Sequence, residues 1–267
     1  MGGRPSGRPC PRSKTGVTDM YLREVSLRRD LVQDWDAYPY NIPAIRHLDQ
    51  LPFRRNVVFF VGENGSGKST LLEAIAYQCG FSTAGGGRSN LLRVESADSA
   101  LGEAIRLSWL PKITEGFFLR AETFYHFASY LDELARDPLS GGRSVYNAYG
   151  GRSLHERSHG EAFLALFTHR FGRRGLYLLD EPEAALSPAR QLAFLRVIHD
   201  LGPTAQWIIA THSPIILGYP GAQIFSFDES PPAEVRYEDT PHYQITRQFL
   251  QHRERVLAEL FQPDEAL

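Results

Sequence analysis

The stretch Gly62-Glu63-Asn64-Gly65-Ser66-Gly67-Lys68-Ser69 constrains this chain more than any other feature. It matches G-x-x-x-x-G-K-[ST], and it stands between the apolar run Asn56-Val57-Val58-Phe59-Phe60-Val61 and a helical stretch over 68–78. A nearly all-apolar run ended by glycine has the pattern of a strand buried on both faces of a parallel sheet. The glycines let the backbone N–H groups from about Gly65 to Thr70 turn inward around phosphate oxygens, and the helix N-terminus adds partial positive charge. In such a loop the lysine, Lys68, bridges β- and γ-phosphates and Ser69 offers a hydroxyl to a divalent cation. Gly62, Asn64, Gly65, Ser66, Gly67, Lys68, Ser69 and Thr70 are therefore the candidate phosphate-binding residues. An ordinary glycine turn before a helix leaves Lys68 unexplained, in a chain whose only other lysines are Lys14 and Lys112.

Two further apolar runs, 176–179 and 207–210, repeat the strand character, with a helical 188–201 between them as a βαβ crossover. The first runs straight into Asp180-Glu181. Asp180 is placed to hold Mg²⁺ through its water shell, and Glu181, one residue on, to polarise an attacking water. Acidic residues also end strands and cap the next helix, but the phosphate loop upstream disfavours that reading here. The expected architecture is α/β, a mostly parallel sheet with its functional loops at the carboxyl ends of the strands. Helical spacing of Phe124, Phe127, Tyr130, Leu131 and Leu134, a Gly-, Ser- and Arg-rich loop at 137–157 and a helix at 160–171 point to an inserted helical lobe spanning about 115–172.

In order and spacing these segments resemble the ATP-binding-cassette superfamily of P-loop ATPases over most of 20–216. The resemblance implies ATP and Mg²⁺ as ligands, an antiparallel N-terminal β region, and catalysis by Lys68, Glu181 and His212. In that superfamily a signature motif, usually L-S-G-G-Q, opens a helix before the acidic strand; Arg157-Ser158-His159-Gly160-Glu161 occupies the place here. Ser158 and the Gly160 N–H would contact the γ-phosphate held by a second copy in an ATP-dependent homodimer. Taken alone, Ser158 is a helix N-cap with Glu161 completing a capping box. His212, in Ala210-Thr211-His212-Ser213-Pro214, falls where the superfamily places a histidine that hydrogen-bonds the γ-phosphate.

Two departures stand out. Ser187 replaces the aspartate usual in the loop of transporter cassettes, and the expected glutamine of the Q-loop is missing. Glu122, in Phe117-Phe118-Leu119-Arg120-Ala121-Glu122, is its candidate replacement and a third metal candidate beside Ser69 and Asp180; Arg120 and Glu122 alternatively form a surface ion pair. Trp35, Tyr38 and Tyr40 are alternatives for an aromatic that stacks on adenine. The motif set looks more like stand-alone AAA family ATPases near the RecF and SMC-like branch than like transporter subunits. That implies DNA or nuclease partners, with a transporter subunit as the alternative.

The formal net charge of -2 provides no bulk attraction to nucleic acid, so DNA binding would need a local patch. Cys10 and Cys79 lack metal-ligand spacing, and no apolar run is long enough to cross a bilayer, so a cytoplasmic protein without membrane insertion of its own is expected. Residues 1–19, rich in Gly, Pro, Ser and Arg, are expected to be a disordered basic arm or a misread start, with one ATPase domain over 20–267. After Pro220 a strand at 223–227 and an amphipathic helix at 246–261 are expected, and no site.

Overall fold

The computed structural model describes residues 20–82, 98–137, 139, 142–170, 174–202 and 205–262. The arm expected at 1–19, with Cys10, and most of the glycine-rich stretch after Phe81 lie outside the described residues. The chain runs β1 (Leu22–Leu27), α1 (Pro43–Arg46), β2 (Gln50–Pro52), β3 (Val57–Val61), α2 (Lys68–Cys79), α3 (Asp98–Ala104), β4 (Ile105–Trp109) and β5 (Gly116–Arg120). It continues through α4 (Phe124–Arg136), α5 (His159–Arg170), β6 (Gly175–Asp180), α6 (Pro188–Leu201), β7 (Ala205–Ala210), α7 (Pro214–Leu217), β8 (Gln223–Ser226), β9 (Ala233–Val235), α8 (Pro241–Gln251) and α9 (Arg253–Leu260).

A six-stranded sheet in the order β5-β6-β7-β3-β8-β9 forms the centre. Its pairings are parallel except for the antiparallel edge pair β8 and β9. Successive side chains of a strand point to opposite faces, and here both faces are covered. Val57, Phe59 and Val61 pack with Phe127, Phe163, Phe167, Phe194 and Trp207 on the side of α4, α5 and α6. Val58 and Phe60 pack on the other side with Leu71, Leu72 and Ile75 of α2 and with Leu22, Val25 and Ile105 of a second sheet. Each such side chain removed from water contributes about 1.5–3 kcal/mol, which is why no polar residue interrupts β3.

The second sheet, antiparallel in the order β2-β1-β4, joins the N-terminal segment to a strand from beyond α3. A buried amide ties it to the main sheet: Gln206 Oε1 accepts from Tyr21 N and Leu22 N, and its Nε2 donates to the Leu22 carbonyl. Both the oxygen and the nitrogen of this buried amide on β7 are thus bonded to backbone groups, as burial of a polar group requires.

Two expectations shift. Residues 116–120, placed by sequence within the lobe, form the edge strand of the main sheet, because Phe117, Phe118 and Leu119 are apolar on both faces and pair with β6. The C-terminal helix begins earlier than 246 and is broken. Thr240 Oγ1 accepts from Tyr243 N, and Pro241 takes the first turn, where a missing N–H costs nothing. His252, at φ -134 and ψ 35, then leaves helical geometry and separates α8 from α9.

Candidate functional site

Strands β3, β6 and β7 end side by side, and the loops that leave them bring the site together. In the loop after β3, Gly62, Gly65 and Gly67 take φ of 147, 80 and 101. A Cβ on Gly62 would stand 3.0 Å from Asp228 Oδ1, and one on Gly67 3.0 Å from Ile42, so neither position accepts a side chain without strain. Asn64 and Gly65 are exposed, Ser66 and Ser69 are half-buried, and Thr70 is buried at the first turn of α2. The first four N–H groups of that helix have no partner within it.

Lys68 is only 4% exposed. Its Nζ donates to the carbonyls of Gly62 at 2.7 Å and Glu63 at 2.8 Å, and lies 3.5 Å from Ser66 Oγ. Burial lowers its pKa, while Glu181 and Asp180 nearby act in the opposite direction. A buried ammonium whose hydrogen-bond acceptors are all neutral is a cation waiting for an anion.

Asp180, 3% exposed at the end of β6, accepts from Ser69 Oγ at 2.9 Å through Oδ1. Its Oδ2 accepts from Arg120 Nε at 2.8 Å, and Arg120 Nη2 also pairs with the buried Glu73 of α2. Arg120 therefore does not form the surface pair with Glu122 that its spacing allowed; parallel register sets it opposite Asp180 instead. Glu122 is exposed, and its charge contributes to raising the Glu181 pKa. Replacing Arg120 by Leu strands two buried carboxylates, which costs about 3–5 kcal/mol. At about 2–4 °C per kcal/mol, the thermal midpoint is expected to fall by roughly 6–20 °C, with part of the loss recovered when Glu73→Gln is added. Thermal unfolding of the single and paired variants measures this, and an unchanged midpoint for Arg120→Leu would refute it.

Glu181 follows in the left-handed region at φ 49, the one described non-glycine residue with positive φ. A non-glycine residue held in that region carries backbone strain, which clusters at functional sites. Burial, then Asp180, raises its pKa, with Lys68 opposing. His212 Nε2 lies 3.7 Å from Glu181 Oε1. The loop bearing His212 is pinned by Glu183, whose carboxylate accepts from Thr211 Oγ1 at 2.8 Å and from His212 N at 2.5 Å. On its other side His212 Nδ1 meets His242 Nε2 of α8 at 2.8 Å.

Sequence reasoning missed Glu183 and His242. Glu183 sits in the loop before Ser187 with no motif to mark it, and His242 lies in the segment after Pro220, where no site is expected. Both histidines have lowered pKa values, each through burial first. The sign follows: the unfolded chain takes up protons near the ordinary value of 6.5 while the folded pair resists, so their contribution to stability is lost as pH falls below 6.5. Glu181 and Glu183, raised by burial, work the other way above the ordinary carboxylate value of 4.5. Between pH 7.5 and 5.5 the wild type is therefore expected to lose more urea resistance than a His212→Asn, His242→Asn protein; equal losses would contradict the assignment.

Lys68, Ser69, Asp180, Glu181 and His212 thus share one site. Ser158 and Gly160 do not join it: their described contacts are with Glu161, Ala162, Arg190 and Ala185. Ser158 N donates to Glu161 Oε2 at 3.1 Å, the capping-box contact, and Ser158 Oγ accepts from Arg190 at 3.3 Å. Of the three aromatics, Tyr40 is buried with its hydroxyl on the Ala100 carbonyl, and Trp35 lies edge-on to Tyr40 under the Arg29 guanidinium. Tyr38 is 53% exposed and its hydroxyl lies 3.3 Å from Thr70 Oγ1, beside the phosphate loop. Among the described residues no group of three or more His, Cys, Asp and Glu side chains is arranged to hold a metal, and no helix is long and apolar enough to cross a membrane.

Two family models match the chain. One, described as "AAA domain", covers residues 40–108, which include the phosphate loop. The other, "AAA domain, putative AbiEii toxin, Type IV TA system", covers 145–218, from the signature segment past His212. No curated protein sequence matches. Among solved structures, the SMC head domain from Thermotoga maritima aligns at 17% identity over 81% of this chain and 98% of its own, with a TM-score of 0.43. The ADP conformation of MJ1267, an ATP-binding cassette of an ABC transporter, aligns at 18% identity over 91% and 100%, with a TM-score of 0.45. An SMC head bound to the C-terminal winged-helix domain of ScpA aligns at 12% over 82% and 99%, with a TM-score of 0.47. At these scores the likenesses assign no role.

Proposed function

We propose that this chain, an ATP-hydrolysing P-loop enzyme of the ATP-binding-cassette type, closes with a second copy of itself around two ATP molecules and opens again on hydrolysis. The observation that carries the site is Lys68, a buried cation bonded only to neutral acceptors beside a pair of carboxylates. On binding, the N–H groups of Gly65 to Thr70 and the N-terminus of α2 hold the phosphates, and Lys68 exchanges its carbonyl partners for β- and γ-phosphate oxygens. Ser69 Oγ and Asp180, hard oxygen donors 2.9 Å apart, suit Mg²⁺, with Arg120 holding Asp180 in place and Glu122 as a further candidate ligand. Mg²⁺, when bound, neutralises charge on the transferring phosphate. Glu181, whose raised pKa makes it the stronger base, orients and deprotonates water, while His212 holds the γ-phosphate. Tyr38, exposed beside Thr70, is the aromatic for adenine.

The signature segment supports the dimer, since Ser158 and Gly160 have no described contact with the phosphate loop of their own chain. A helix N-terminus presented to a second copy adds an anion contact that exists only in the closed state, so ATP shifts the equilibrium toward closure. Complementation tests this. Lys68→Ala and Gly160→Asp proteins are each expected to be inactive, and their mixture to regain hydrolysis, because the mixed dimer holds one complete site. A mixture as inactive as its parts would exclude the shared site.

We assign the switch to DNA repair or genome defence in the cytoplasm, with DNA or a nuclease as partner. The description of the model over 145–218, a toxin of a toxin–antitoxin system, supports that reading over transport. A pull-down with the ATP-locked Glu181→Gln protein, using Lys68→Ala as control, discriminates. A nuclease or DNA-processing protein captured only with the locked form supports it, and a multi-helix membrane protein supports a transporter subunit instead.

A further inference from the structure

Helix α8 belongs to the region in which the sequence shows no motif, yet it delivers an imidazole to the hydrolytic site. His212 Nδ1 and His242 Nε2 are 2.8 Å apart, with ring centroids at 5.0 Å and planes at 53°. Two ring nitrogens at that distance share one proton, so one ring donates and the other accepts. Both outer nitrogens, His212 Nε2 and His242 Nδ1, are buried without a hydrogen-bond partner among the described residues. His212 Nε2 points toward the Glu181 carboxyl, 3.7 Å away.

The direction of the shared bond then decides what His212 shows to the site. If His212 donates from Nδ1, its bare Nε2 lone pair faces the Glu181 oxygens and the place of the γ-phosphate, acceptor against acceptor. If His242 donates from Nε2, a neutral His212 carries its own proton on Nε2 and presents a donor to both. Lys68, near both rings, and the mutual burial of the pair favour neutral rings, for which only these two arrangements exist. Asp228 and Glu63 are the acidic neighbours of His242, and neither hydrogen-bonds it.

We propose that His242 is a positioning residue of the ATPase site, donating its Nε2–H to His212 Nδ1 and thereby holding His212 in the tautomer that points Nε2–H at Glu181 and the γ-phosphate. The placement of α8 makes the donor available. Thr240 caps the helix two residues before His242, and the Tyr237 hydroxyl donates to the Pro214 carbonyl at 2.8 Å, fastening the turn that leads into α8 to the segment that follows His212. A shift of α8 would therefore break the His242 bond and leave the His212 ring free to change tautomer. The proposal rests on the reading of His212 as the histidine that meets the γ-phosphate.

Nitrogen NMR of the full chain carrying ¹⁵N-labelled histidine, without nucleotide, locates the proton. The expected spectrum has a proton bonded to His242 Nε2, scalar coupling from it across to His212 Nδ1, and a second proton on His212 Nε2. In His242→Phe the coupling disappears and His212 populates both tautomers. ATP turnover then falls about two- to fivefold, in step with the fraction of His212 that loses its Nε2 proton, and the Kd for a non-hydrolysable ATP analogue rises by no more than that factor. His242→Gln, whose amide can donate to the same nitrogen, is expected to restore turnover, which a merely space-filling role would not explain. A proton found on His212 Nδ1, or a folded His242→Phe protein with unchanged turnover, overturns the proposal. Wild-type turnover in His212→Ala would instead overturn the reading of His212 itself, and the nucleotide-free spectra keep the two failures apart.

Discussion

Glu181→Gln protein is expected to bind ATP as tightly as the wild type, to hydrolyse it at least about a hundredfold more slowly, and to accumulate as an ATP-bound dimer. The substitution keeps side-chain length and the left-handed backbone, so neither the loop nor the phosphate contacts change. What it removes is a base that burial and Asp180 have made unusually avid for a proton. It also removes one negative charge from a crowded cluster, so the bound state is not weakened by repulsion of the phosphates. Single-turnover hydrolysis, equilibrium binding and light scattering with and without ATP read the three effects separately. Hydrolysis at the wild-type rate would end the assignment of Glu181 as the base, whatever the oligomeric state.

Lys68→Ala should do the opposite, eliminating tight nucleotide binding while leaving the empty protein folded. Truncating one member of a buried, hydrogen-bonded charge pair costs about 2–5 kcal/mol, so the ATP Kd should rise roughly 30- to 4,000-fold. A purely structural lysine predicts a different pattern. In the empty protein Lys68 is a desolvated cation held by two carbonyls and a hydroxyl, and burial already disfavours its charge. Lys68→Met, which keeps the stem and deletes the charge, is therefore expected to unfold at the same temperature as wild type or higher, yet to fail to bind ATP. Calorimetric titration alongside thermal unfolding makes the comparison. A variant that loses stability and still binds would show that the ammonium serves the loop rather than the phosphates.

The parts of this protein that sequence alone determined are those in which chemistry and spacing lie within one continuous segment. The phosphate loop is legible because its glycines, its lysine and its helix N-terminus follow one another, and strands β3, β6 and β7 because burial on both faces leaves the apolar runs 57–61, 176–179 and 207–210. Helices α4, α5 and α6 follow from their apolar spacing in the same way. Tertiary structure decided whatever depends on which strands are neighbours and in what register. Arg120 and Asp180 are 60 residues apart, and only the parallel register of β5 against β6 sets them opposite each other, so that Arg120 clamps two buried carboxylates in place of the alternative surface pair with Glu122. That Tyr38, and not Trp35 or Tyr40, is the ring exposed beside Thr70 follows only from the packing. The meeting of His212 with His242 depends on the return of α8 across the end of β7, a path set by capping and packing. Local sequence specifies backbone conformation and which faces are apolar, because those energies act between near neighbours along the chain. The pairing of buried charges and the direction of a shared proton arise between groups distant in sequence, and only the folded packing sets the distances on which those energies depend.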